Sequence, residues 1–155
     1  MNKRTMIILR VNEQAERFYD KSKELGTLAA RSFFEERDRQ RHRAQMTGLE
    51  NIAETTLKAT DVLDYIKKQI ARQEGWRKEY DGKRFGESLK TYIENNLRRD
   101  VTSVCASVGI GDETDEDKRQ RQYIYLQLIR QLIRQVVVQY EYHISQQLER
   151  PRHDH

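Results

Sequence analysis

The chain has 155 residues, of which 36% are hydrophobic and 35% charged, with a net charge of +4. That length suits one domain with its own core, and the balance suits amphipathic helices that each bury only a stripe. A single cysteine, Cys105, excludes an internal disulfide and a cysteine-built zinc cluster, and the apolar run Met6–Leu9 is too short for a signal segment or a membrane span.

The sole proline, Pro151, lies near the end, so nothing in residues 1–150 interrupts a helix by ring clash or a missing N–H. The expected fold class is all-α. It is an antiparallel four-helix bundle over residues 1–150, with a short N-terminal extended arm and a frayed tail at 151–155 in a reducing cytoplasm.

In chain order, Met1–Arg10 reads as the extended arm, because Thr5–Leu9 carries β-type residues with no second strand to pair. A first helix is predicted over about 12–45, capped by Asn12, with Ala15, Phe18, Leu25, Ala29 and Phe33 on one face. Beyond Phe34 the apolar stripe stops, and Glu35–Arg43 is nearly all charged.

Thr47-Gly48-Leu49-Glu50 has the form of a capping box and starts a second helix over about 48–73, burying Leu49, Ile52, Ala53, Leu57, Leu63, Ile66 and Ile70. Residues 75–84 read as a loop. A third helix over about 84–107 follows the helical period through Phe85, Leu89, Tyr92, Ile93, Leu97, Val101, Val104 and Cys105. Thr114 caps a fourth helix over about 115–149, with Asp115, Glu116 and Asp117 at its positive start. This helix is apolar on more than one side, so it is either central or meets a partner through Leu128, Leu132, Val137 and Val138.

Two stretches carry candidate chemistry. Arg37, Arg39, Arg41 and Arg43 place guanidinium rows on neighbouring faces of one helix, suited to successive phosphates; the alternative is a solvated end laced by pairs such as Glu35–Arg39. Trp76, with Tyr80 among Arg72, Arg77, Lys78, Lys83 and Arg84, either stacks a base while cations hold the backbone or closes the bundle end as core. Tyr123 and Tyr125, near Lys118, Arg119 and Arg121, make a weaker case of the same kind.

No phosphate loop, nucleophile elbow, dinucleotide fingerprint or His-x-x-x-His pair is present, so no cofactor, metal or catalytic residue is expected. Cys105 and His143 read as core and core-edge residues.

Arg37-Asp38-x-x-x-His42 resembles the paired arginine and histidine motif of the HEPN ribonucleases, which are helical bundles; that resemblance implies RNA cleavage by His42 with Arg37, the alternative being an exposed helix histidine. Across residues 12–149 the chain also resembles the small helical subunits of CRISPR effector complexes, most in Phe85–Leu97 and Tyr123–Tyr142. That resemblance implies a non-catalytic subunit that stacks in a filament and touches nucleic acid through basic surfaces. The sequence thus favours a basic assembly subunit that binds RNA or DNA backbone, with a pure protein-interaction bundle and a HEPN-like ribonuclease as alternatives.

Overall fold

The computed structural model describes residues 1–34 and 39–149, and for residues 39, 148 and 149 the backbone alone. The described chain is all-α apart from one small hairpin. Its helices are α1 (Lys3–Arg17), α2 (Tyr19–Phe34), α3 (Arg39–Thr55), α4 (Ala59–Arg72), the single turn α5 (Glu74–Arg77), α6 (Phe85–Thr91), α7 (Arg98–Val108) and α8 (Asp115–Glu149). A π-helical turn, Tyr92–Leu97, joins α6 to α7, and strands β1 (Glu79–Tyr80) and β2 (Lys83–Arg84) form the hairpin.

The centre of the molecule is α8. Its 35 residues make a rod of about 52 Å, against which α1, α2, α3, α4 and α7 all pack. Ile124, Leu128, Ile129, Leu132, Ile133 and Val136 are fully buried, which accounts for its apolar character on more than one side. It starts as expected: the Asp117 N–H donates to Thr114 Oγ1 at 3.0 Å. The preceding helix closes on Gly109, whose φ of 74° is left-handed, while the Ile110 N–H bonds back to the Cys105 carbonyl at 2.9 Å.

Helices α2 and α8 approach closely. A Cβ on Gly26 would lie 2.5 Å from Gln139 Cβ and 2.7 Å from the Val136 carbonyl, so the missing side chain sets the approach of the two backbones. Ser22, Ala29 and Ala30 extend the same small, buried surface, and the Ser22 hydroxyl donates to Gln135 Oε1 at 2.6 Å.

The N-terminal arm is a helix instead. The Thr5 N–H donates to Asn2 Oδ1 at 2.8 Å, so Asn2 is the cap and Asn12 lies inside α1. Ile7, Val11 and Ala15 share one face and are buried, and that burial overrides the β preference of Thr5, Ile7 and Ile8. The predicted first helix is broken at Phe18 into α1 and α2.

The predicted break at Thr47 is absent: α3 runs through Thr47 and Gly48, and the capping box is helix interior. Gly48 is there because a Cβ would meet the Tyr65 hydroxyl of α4 at 2.5 Å. The chain turns later, at Thr56–Lys58, where Thr56 Oγ1 accepts from the Lys58 N–H at 3.1 Å and donates to Asp61 Oδ2 at 2.5 Å. Leu57, expected in the core, sits in that turn and is 91% exposed.

Residues 75–84 are not a plain loop. Asp81 and Gly82 have φ of 56° and 75°, the paired left-handed residues of a type I′ turn, and they close the hairpin. After it, Phe85, Leu89, Ile93, Leu97, Val101 and Cys105 recur strictly every fourth residue and are all buried. In an unbroken α-helix each such step overshoots a full turn by about 40°, so the stripe would drift by roughly 200°. The π turn at Tyr92–Leu97 absorbs part of that drift and keeps the stripe on the core.

Substituting Gly26→Val is expected to destabilise the fold by about 3 kcal/mol through overpacking against the α8 backbone. Lys23→Ala, on the exposed side of the same helix, is expected to stay within about 0.5 kcal/mol of the parent. Urea denaturation followed by circular dichroism checks both.

Candidate functional site

The end of the molecule where α3 begins and α4 finishes rests on a buried aromatic cluster. The Phe33 ring stacks on His42 with centroids 4.4 Å apart and packs edge-on to Phe85 and Tyr140 at 5.8 and 5.9 Å. Trp76 lies 5.0 Å from Phe85 and is fully buried. Burial pushes the Tyr140 phenol up to about 12, with Arg43 pulling in the opposite direction.

Gln45 holds the cluster together. Its Oε1 accepts the Trp76 indole N–H at 2.8 Å and lies 3.0 Å from His42 Nδ1. Because the indole can only donate, that amide oxygen is fixed as an acceptor. His42 therefore carries a proton on Nδ1. The Gln45 carbonyl in turn accepts the Tyr65 hydroxyl at 2.7 Å, tying α3 to α4. Gly75 seats α5 on the imidazole, since a Cβ there would come within 2.8 Å of His42 Cε1.

Two sequence expectations change here. Trp76 is core, its one polar atom is satisfied, and it presents no face for a base to stack on. His42 is neither an exposed helix residue nor placed to meet a phosphodiester from solvent: it is 5% exposed, between Phe33 and α5. Arg37, its partner in the ribonuclease reading, lies outside the described residues.

The remaining basic candidates divide. The contacts of Gln45 and Gly48 with Tyr65, and of His42 with Gly75, run α3 antiparallel to α4. The stretch containing Arg39, Arg41 and Arg43 therefore lies at the same end as Arg72, Arg77 and Lys78. Arg41 and Arg43 are exposed, Lys78 is half-buried, and of Arg39 only the backbone in α3 is described. Arg77 is engaged by the fold, where its Nη1 donates to the Ala71 carbonyl at 3.1 Å and caps the end of α4. Arg84 lies on the hairpin, 4.0 Å from Glu79.

Sequence reasoning names Arg72 beside Trp76 but does not single out Lys67 and Lys68; all three stand exposed along the last two turns of α4. A signal for them exists, three cations on the solvent side of a helix whose other side is Val62, Leu63 and Ile66.

Other arginines serve the fold. Arg130 donates to the carbonyls of Ala53 and Thr56, both at 2.8 Å, at the end of α3; Arg121 donates to the Gly111 carbonyl at 2.6 Å; Arg98 lies 4.8 Å over the Tyr125 ring. Tyr125 is buried with its hydroxyl on the Ile93 carbonyl at 2.9 Å, so it is not a stacking platform. The proposed partner face of the last helix also contracts: Leu128, Leu132 and Val137 are core, and Val138 alone of the four is exposed, at 54%.

No family model matches the chain, and no curated protein or solved structure matches it. No described helix is long and apolar enough to cross a membrane.

Gln45→Leu removes the acceptor for Trp76 and His42 while roughly keeping the volume. It is expected to cost about 2–3 kcal/mol, the penalty for stranding a buried donor. Gln45→Glu, which keeps an acceptor, is expected to cost less. Thermal and urea unfolding of the two variants beside the parent measure the difference.

Proposed function

We propose that the chain is a non-catalytic, basic helical subunit that holds nucleic-acid backbone within a larger assembly, through the end where α3 begins and α4 finishes. We read its architecture as a four-helix bundle elaborated by α1. The observation that carries the functional reading is the antiparallel α3–α4 pairing. It collects Arg39, Arg41 and Arg43 with Lys67, Lys68, Arg72 and Lys78, cations from two separate stretches, at one end of the molecule. A collection of cations on helical faces suits a phosphate backbone, whose charges recur along a line.

With Trp76 buried, binding is to backbone and carries little sequence preference. The burial of His42 favours binding over cleavage. A filament-forming role like that of the CRISPR small subunits is compatible with this reading, and RNA and DNA are both admissible ligands.

A second reading, a protein-interaction bundle, draws on exposed apolar groups: Val138 and Tyr142 one turn apart on α8, at 54% and 56% exposure.

The test is fluorescence anisotropy with labelled single- and double-stranded RNA and DNA across a salt series. Affinity is expected to fall steeply with salt. The triple variant Lys67→Glu, Lys68→Glu, Arg72→Glu is expected to bind at least tenfold more weakly, with a salt slope shallower by about 0.7–0.9 for each phosphate no longer neutralised. Absent or salt-insensitive binding sinks the nucleic-acid reading. Light scattering of Val138→Glu with Tyr142→Glu then decides the second, which requires an assembly that those charges disrupt.

A further inference from the structure

Beside the basic end, an open cleft of about 570 Å³ lies between the exposed side of α2, the hairpin and the last turns of α8. Lys23, Thr27 and Arg31 line it at intervals of four residues. They lie on one stripe of the helix, and the backbone positions of Lys23 and Arg31 are about 12 Å apart along the axis with Thr27 between them. Both side chains are long enough to converge above Thr27. The Thr27 hydroxyl donates its proton to the Lys23 carbonyl at 2.8 Å, so it is committed to the helix and offers the cleft no donor. His143 closes the cleft from α8, and Tyr80 from the hairpin.

The charges in the cleft are unevenly committed. Lys83 is held by Glu24 at 2.6 Å, and Lys21 reaches the same carboxylate oxygen at 3.5 Å, so that carboxylate is bracketed by two ammonium groups. Asp81 lies close enough to Lys83 to favour its charged form. Asp20 lines the opposite end, in the first turn of α2. Lys23 and Arg31 have no carboxylate partner among the described residues. The Arg31 guanidinium lies over the Tyr80 ring, 5.5 Å from its centroid, which orients the group. His143 is held below its ordinary value by burial first, then by Arg31 and Lys23.

We propose that this cleft is a binding site for a phosphate monoester, with Arg31 and Lys23 holding the phosphate oxygens, His143 donating to it, and the organic part lying against Tyr80 and Leu28. An arginine fork, an ammonium and an imidazole match a tetrahedral dianion better than a planar carboxylate. The phosphate can come from a free ester or from the end of a nucleic-acid strand. The site uses none of the cations proposed for the α3–α4 end, and its first test needs no oligonucleotide.

The experiment is a ¹⁵N-resolved titration of the full chain with inorganic phosphate. The amides of Thr27, Arg31, Tyr80 and His143 are expected to shift together, and Arg31→Ala or Lys23→Ala to weaken binding about tenfold each. Sulfate, a dianion at every pH used, is expected to bind more tightly as pH falls from about 8 to about 6. An added anion raises the affinity of His143 for a proton, so binding and protonation favour one another; His143→Gln is expected to abolish that trend. Resonances that stay still at tens of millimolar phosphate overturn the proposal, as do variants that bind like the parent. An RNA with a 5′-phosphate that outcompetes its 5′-hydroxyl twin, an advantage absent in Arg31→Ala, assigns the ligand to strand ends. Equal competition by the two assigns it to free esters.

Discussion

The absence of a side chain at Gly26 lets the backbones of α2 and α8 meet, and much of the molecule's layout follows from that approach. With α2 drawn this close, Phe33 near its end reaches Tyr140 of α8. Phe33 then supplies the flat surface on which His42 stacks, and so fixes where α3 starts. Gln45, one turn on, receives the Trp76 indole and so draws α5 and the hairpin against the same end. A packing event in the middle of the bundle thereby reaches its charged surface: the α2–α8 contact sets Phe33, the seat of His42, at the end where the arginines of α3 meet the cations of α4.

The basic residues are not a uniform coat. Arg77, Arg121 and Arg130 each donate to backbone carbonyls at helix ends or in a connection, where a cation also meets the negative end of the helix dipole. Arg134 reaches Glu54 of α3 at 2.7 Å. These charges tie helix to helix and are partly neutralised in doing so. A net charge of +4 therefore describes the potential poorly. Where cations have no carboxylate partner among the described residues, at Lys67, Lys68 and Arg43 and at Lys23 and Arg31, the field available to a partner is concentrated.

The helical class, the central position open to the last helix, its Thr114 cap and the stripe from Phe85 to Cys105 are all legible in the sequence, because each rests on local periodicity or capping chemistry. The N-terminal arm misleads because Thr5, Ile7 and Ile8 favour strands locally, while their helix exists only through Ile7, Val11 and Ala15 docking on distant segments. Thr47–Glu50 misleads for the converse reason: a sound local cap signal is overruled by Tyr65, which needs Gly48 beneath it. Asp81-Gly82 is a legible turn signal, yet the strands it joins are too short to announce a hairpin. The Gln45–His42–Trp76 linkage joins residues up to 34 apart in sequence through side-chain geometry, and no spacing pattern encodes it. The same holds for the Lys23–Arg31 cleft, whose walls come from α2, the hairpin and α8.

The position of α8 in the chain bears on how the protein is made. Every other large helix lays its apolar face on this one, yet it follows all of them in the order of synthesis. While α1 to α4 emerge from the ribosome, the surfaces that α8 will cover stay open, and the partner of Gly26 does not yet exist. Synthesis at about 5–20 residues per second leaves those surfaces uncovered for several seconds. The core therefore closes only after translation of α8 is complete.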